Sequence, residues 1–223
     1  MESFDVNRQF FWRRMRAIVL AAGKGSRMLS TVPKPLHLVN GVPMTGHVLK
    51  SLEELDLEST VVVVGHQAPL VSQTLMRMSS DPDRLKFAEQ RVQRGTADAT
   101  KVGLEAFASD DGSGVESDVL VLPGDMPLLT SDTLIELQDH HVKSGAAATL
   151  LTAEFKDPAG YGRIVRDEHG RIERVVEHVD AGPYELTICE VNTSIYCFNS
   201  SCSMERFAKS KAPIPKMSIT SPT

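Results

Sequence analysis

Only three of the 223 residues are cysteine, at Cys189, Cys197 and Cys202, and no two form a Cys-x-x-Cys pair. That excludes a disulfide scaffold and a zinc knuckle, and it leads us to expect free thiols in a reducing, cytoplasmic setting. The chain also has no excess of basic charge: 24 lysines and arginines face 29 acids, a net charge of −5. A generally basic nucleic-acid binder is disfavoured, although a local basic pocket can still serve an anionic substrate. No apolar run approaches the roughly 20 residues of a membrane span, so no membrane partner is expected. What is present is an ordinary globular balance, 41% hydrophobic and 24% charged, enough for a sizeable core.

The two ends differ from the middle. Residues 1–15 carry Arg8, Arg13, Arg14 and the run Phe10-Phe11-Trp12, too short for a signal h-region, and read as an N-terminal extension. Residues 208–223 hold Lys209, Lys211, Lys216 and three prolines with no acid and no aromatic; they read as a loose, disordered tail. Between them, short apolar runs alternate with amphipathic ones. Ala17–Ala22, Val61–Val64 and Asp118–Leu122 read as buried strands, each ending at glycine or a Pro-Gly turn. Helical stretches are expected near 44–55, 68–79, 97–108 and 131–143, with Thr96 and Ser131 as caps of the last two. Strands separated by helices imply a mostly parallel sheet. After about residue 147 the rhythm turns to strands at 147–153, 162–166, 171–177 and 190–198, a more β-rich portion of the same α/β domain.

Leu20-Ala21-Ala22-Gly23-Lys24-Gly25-Ser26-Arg27-Met28 directly follows the first strand. It fails the P-loop pattern, and it half-matches the dinucleotide fingerprint, with Met28 where the third Gly or Ala belongs. Glycines let a backbone approach a phosphate, and successive N–H groups form an anion nest. Lys24, Arg27 and then Lys34 add cations; the competing reading is an ordinary turn with solvated bases. Asp125, just past a strand's carboxyl end, can hold a hard cation such as Mg²⁺ or simply close a turn. His66, His140 and His141 read as solvated surface, since adjacent histidines on a helix cannot form an i, i+4 metal pair.

These residues resemble a family. The glycine loop with Pro33-Lys34 is similar to the signature of sugar-1-phosphate nucleotidyltransferases. Further matches are Val64-Gly65-His66, Gln90-x-x-Gln93-x-Gly95-Thr96-Ala97, Gly124-Asp125-x-Pro127-Leu128, Asp157-Pro158-x-Gly160-Tyr161-Gly162-Arg163-Ile164, Val176-Glu177-His178 and Glu190-Val191-Asn192-Thr193. Their order resembles the N-terminal uridylyltransferase part of the bacterial bifunctional N-acetylglucosamine-1-phosphate uridylyltransferase/glucosamine-1-phosphate acetyltransferase, from about Arg16 to Phe207. The resemblance implies a Rossmann-like nucleotidyltransferase sheet with a smaller β-rich sugar-binding portion. It implies uridylyl transfer from UTP to N-acetylglucosamine 1-phosphate with Mg²⁺, in peptidoglycan precursor synthesis.

By the same resemblance, Leu20, Ala21, Ala22 and Gly23 would hold the nucleotide through backbone, and Arg27 and Lys34 would flank the triphosphate. Gln90 would read the uracil edge, with Gly95 and Thr96 completing the base pocket. Gly124 and Asp125 would lie at the phosphates, Asp125 holding the metal, and Gly162, Glu177 and Asn192 would hold the sugar. Departures from the family pattern are Pro123, Asp98 in place of a usual histidine, and Ser194 in place of a common glycine. A second Mg²⁺ ligand, an asparagine in a Gly-Val-Asn-Asn-type motif, has no counterpart after Phe207, and no acetyltransferase repeats follow. The expectation is therefore a nucleotidyltransferase domain over 16–207, incomplete at its C-terminal side. A catalytically silent nucleotide-binding remnant, or an enzyme for another sugar phosphate, are the rival readings.

Overall fold

The computed structural model describes residues 15–25, 28–108, 117–199 and 217–220. In chain order the elements are β1 (Met15–Ala21), the short β2 (Leu38–Val39) and β3 (Val42–Pro43), α1 (Met44–Leu52), β4 (Leu57–Val64) and α2 (Ala68–Met78). There follow β5 (Leu85–Glu89), α3 (Thr96–Ala108), β6 (Asp118–Pro123), α4 (Ser131–Ser144), β7 (Ala148–Glu154), β8 (Arg163–Arg166), β9 (Ile172–Val176), β10 (Glu190–Phe198) and β11 (Met217–Thr220). The large sheet runs β11-β7-β10-β6-β1-β4-β5, with β8 pairing β10 and β9 pairing β8 off that path. β5, β4, β1 and β6 run parallel to one another, whereas β10 runs antiparallel to both β6 and β7.

Side chains alternate between the two faces of such a sheet, and here both faces are apolar because helices cover both. Val19, Val62 and Leu122 pack with Val48 and Leu52 of α1, Leu75 of α2 and Leu137 of α4. Ile18, Val61, Val63 and Val121 pack on the other face with Ala99 and Phe107 of α3. Each such fully buried aliphatic side chain contributes about 1.5–3 kcal/mol of transfer free energy. The expected α/β class and mostly parallel sheet are therefore observed.

Three expectations need correction. The cap of α4 is Thr130, not Ser131: Thr130 is extended and its hydroxyl accepts the Thr133 N–H at 3.3 Å. Thr96 is the first residue of α3 and does not flank it. His141 is not surface. It falls on the buried stripe Leu134, Leu137, Gln138, His141 of α4, with Nδ1 2.7 Å from the Thr149 hydroxyl and Nε2 3.8 Å from the equally buried Asp118 carboxylate.

Part of the expected tail also has a place. Met217–Thr220 adds to β7 as a parallel edge strand, where the alternation Met-Ser-Ile-Thr meets an edge with backbone groups left to pair. The rest of 208–223 and the extension 1–14 lie outside the described residues.

Candidate active site

Because β5, β4, β1 and β6 are parallel, their carboxyl ends meet one edge of the sheet, the edge at which open α/β sheets place ligands. Gln90 follows β5, Gly65 follows β4, Ala22 and Gly23 follow β1, and Gly124 and Asp125 follow β6. β10 is antiparallel, so its beginning, with Asn192, reaches the same edge. Four strand spacings of about 4.8 Å carry this row from Gln90 to Asn192 over roughly 19 Å.

The middle of the row is held through backbone atoms. The Gly124 N–H donates to the Leu20 carbonyl at 2.8 Å, and the buried Thr45 hydroxyl donates to the Gly124 carbonyl at 2.7 Å. Gly65 lies so close to the turn after β1 that a Cβ there would sit 2.6 Å from the Ala22 carbonyl oxygen. Gln93 closes the turn from the other side, its amide donating to the same carbonyl at 2.6 Å. Gly25 has φ +62, and a Cβ on it would meet the Lys34 Cβ at 2.7 Å, so only glycine lets the loop fold over Lys34. Lys34, at the start of a short 3-10 turn between two prolines, forms an ion pair with Asp125, and both side chains are about one-third exposed.

At one end of the row Gln90 is 5% exposed. Its amide donates to the Asp98 carboxylate at 2.8 Å and to the Gly95 carbonyl at 3.3 Å. Thr96 opens α3 directly behind Gly95, whose φ is +96. At the other end Gly162, Glu177 and Asn192 come together. A Cβ on Gly162 would lie 3.5 Å from a Glu177 carboxylate oxygen, and the Gly162 carbonyl accepts the Asn192 N–H at 2.9 Å. The Asn192 side chain is fixed twice: its amide donates to the Tyr196 phenol at 2.6 Å and its carbonyl accepts the Ser194 N–H at 3.1 Å. Ser194 pays for that placement with φ +64, the left-handed region in which a glycine is at ease. Burial raises the Tyr196 pKa above the ordinary phenol value; the hydrogen bonds from Asn192 and Ser194 oppose the shift, and the Glu177 charge adds to it.

The structure thus brings together Leu20, Ala21, Ala22, Gly23, Lys34, Gly124 and Asp125, with Gln90, Gly95 and Thr96 at one end and Gly162, Glu177 and Asn192 at the other. Arg27 lies outside the described residues. Thr45, Gln93 and Tyr196 carried no assigned role in the sequence. Gln93 and Gly65 stand within quoted motifs, whereas nothing local marks Thr45, which acts 79 positions from its partner. Among the described residues no cluster of three or more His, Cys, Asp or Glu could cage a metal. A lone, partly exposed carboxylate nevertheless fits Mg²⁺, which keeps its waters and takes one or two carboxylates beside substrate phosphates.

Comparison with known proteins decides the family. The sequence profile of the MobA-like NTP transferase domain matches residues 17–184. The chain belongs to that family. As a MobA-like NTP transferase domain it is 45% identical over 193 residues to the bifunctional protein GlmU of Bacillus cytotoxicus, covering 86% of this chain and 40% of the relative. GlmU of Lactococcus lactis subsp. lactis is 45% identical over 184 residues, 82% of this chain and 38% of the relative. The chain therefore spans about two fifths of the length of these curated relatives, and the resemblance read from the motifs is borne out. The fold is shared with a crystal structure from Bacillus anthracis assigned as a glucose-1-phosphate thymidylyltransferase, solved with sucrose. Its TM-score is 0.68 at 19% identity, over 94% of this chain and 87% of that one. Among the described residues of this NTP transferase domain no helix is long and apolar enough to cross a membrane.

Proposed function

We propose that the site transfers a uridylyl group from UTP to N-acetylglucosamine 1-phosphate, giving UDP-N-acetylglucosamine and diphosphate. The observation that supports it is the single row along one sheet edge: the buried Gln90 amide beside the Gly95 turn, a glycine turn with cations in the middle, and a polar cluster at Asn192. A nucleotide and a sugar phosphate laid end to end along that row meet at Asp125 and Lys34.

In this reading a phosphate oxygen of the sugar phosphate forms a bond to the α-phosphorus while the bond to the β-phosphate oxygen breaks, and diphosphate leaves. Most of the rate in such a displacement comes from positioning and charge neutralisation. The turn Ala22-Gly23 offers backbone N–H groups, and Lys34, with Arg27, offers positive charge to the phosphates. Gln90, Gly95 and Thr96 hold the base; Gly162, Glu177 and Asn192 hold the acetamido sugar. Asp125 would hold Mg²⁺, which when bound neutralises phosphate charge. A cytoplasmic setting, where nucleoside triphosphates are kept, accords with this reaction.

The test is incubation with UTP, Mg²⁺ and N-acetylglucosamine 1-phosphate, following diphosphate release and the nucleotide sugar by mass. Formation of UDP-N-acetylglucosamine in preference to products from CTP, GTP or dTTP is expected. No product at high protein concentration rejects the proposed turnover, and a stronger signal from another sugar phosphate rejects the proposed acceptor.

A further inference from the structure

Gln90 can face a base with either its carbonyl or its amino group, and the two present opposite chemistry. In this chain the choice is made by Asp98. The Gln90 Nε2 has two hydrogens; one goes to the Gly95 carbonyl at 3.3 Å and the other to the Asp98 carboxylate at 2.8 Å. A peptide carbonyl and a carboxylate can only accept, so turning the amide over would set Oε1 against two acceptors. The orientation therefore follows from the partners and not from an arbitrary assignment of the amide atoms. Gln90 is 5% exposed and its own N–H is bonded to the Val64 carbonyl at 2.8 Å, so the side chain has little freedom to escape the choice. Among the described residues no donor is bonded to Oε1.

We infer that Asp98 is a specificity-determining residue: by occupying both amino hydrogens of Gln90 together with Gly95, it leaves an acceptor alone to meet the base. Uracil and thymine present a ring N–H at the position where cytosine presents a lone pair. An acceptor-only glutamine pairs with the first and repels the second. Asp98 acts through Gln90 and does not touch the base. Its place in the first turn of α3 suits its charge to the helix dipole. The inference rests on the nucleotide-site reading given under Proposed function.

The experiment compares UDP with CDP by calorimetry, and UTP with CTP by turnover, for the parent chain, Asp98→Ala and Asp98→Asn. Alanine removes the acceptor and frees Gln90 to turn over; asparagine can still accept with its carbonyl while lacking the charge. The expected result is a preference for uridine nucleotides in the parent that falls about tenfold or more in Asp98→Ala and returns in Asp98→Asn. Thermal melting of all three separates this from a loss of folding, since a merely structural role would weaken both nucleotides alike. A parent that binds UDP over CDP while Asp98→Ala keeps that ratio overturns the role of Asp98 and leaves the site reading intact. A parent that binds neither nucleotide overturns the site reading, and the inference with it.

Discussion

The middle of the candidate site and its Asn192 end are built from different materials. Around β1, β4 and β6 it is made largely of backbone: Gly65 against the Ala22 carbonyl, Gly124 bonded to Leu20, and the Gly124 carbonyl held by the buried Thr45 hydroxyl. Around β8, β9 and β10 it is made of side chains: Glu177 over Gly162, and Asn192 held by Tyr196. Packed backbone has nowhere to retreat, whereas a side chain at a strand end can turn away. The middle should therefore lose stability when its shape is altered, and the proposed sugar end should lose recognition.

The largest expected effect lies in the middle, at Asp125. Asp125→Asn should lower turnover about 100- to 1,000-fold while changing stability by no more than about 1 kcal/mol, because its pairing with Lys34 is partly exposed. Rate measurements across a Mg²⁺ titration check this, and wild-type turnover would remove Asp125 from the chemistry.

Gly65→Ala should cost about 1–3 kcal/mol, since the added methyl meets backbone oxygen; urea unfolding gives the value. Gly162→Ala, by contrast, meets the Val175 methyl at 3.3 Å and the movable Glu177 carboxylate. It should leave the urea midpoint nearly unchanged and raise the KM for the sugar phosphate several-fold, on the order of the about 1 kcal/mol carried by one hydrogen bond. If both variants behaved alike, the contrast between the middle and that end would collapse.

How much of this could be read in the sequence follows the same division. The glycine turn after β1 is legible because glycine spacing behind an apolar run reports directly on backbone shape. That Asn192 and Glu177 come together at Gly162 is legible only through their joint register with other motifs, since neither residue type by itself marks a site. Asp98 stands out as a departure, yet the direction of its carboxylate depends on where the turn at Gly95 brings Gln90, which no local pattern records. Thr45 and Tyr196 leave no mark, because both are ordinary residues whose partners are set by tertiary packing. The burial of His141 is legible in helical spacing, since Leu134, Leu137, Gln138 and His141 fall on one face of α4, a period that outweighs the adjacency of His140.

Smaller effects refine the sugar end. Ser194→Gly should stabilise the chain by up to about 1 kcal/mol by relieving the left-handed backbone, while preserving the N–H that holds Asn192. Denaturant unfolding measures it, and a loss of stability would show that the Ser194 side chain contributes more than its conformation costs. Last, the Tyr196 phenol ionises above the ordinary value. The neutral form is the one the fold favours, so its contribution to stability is fully present below the unfolded phenol pKa of about 10 and is lost as pH rises through the folded one. Alkaline difference spectra of Tyr196→Phe against the parent should show the missing ionisation at the alkaline extreme, and a missing component at ordinary phenol pH would contradict its burial.

The position of β1 has a consequence for how the chain is made. It is the first of the described strands, yet it lies between β4 and β6, pairing Met15 with Leu57 on one side and with Asp118 on the other. A strand that leaves the ribosome first must wait for a partner synthesised roughly a hundred residues later, an interval of about 5–20 s at ordinary elongation rates. Until β6 arrives, the glycine turn has no Gly124 beside it and Lys34 has no Asp125. Nucleotide affinity in the nascent chain should therefore appear late and in one step, when the strand that closes the middle of the sheet is added.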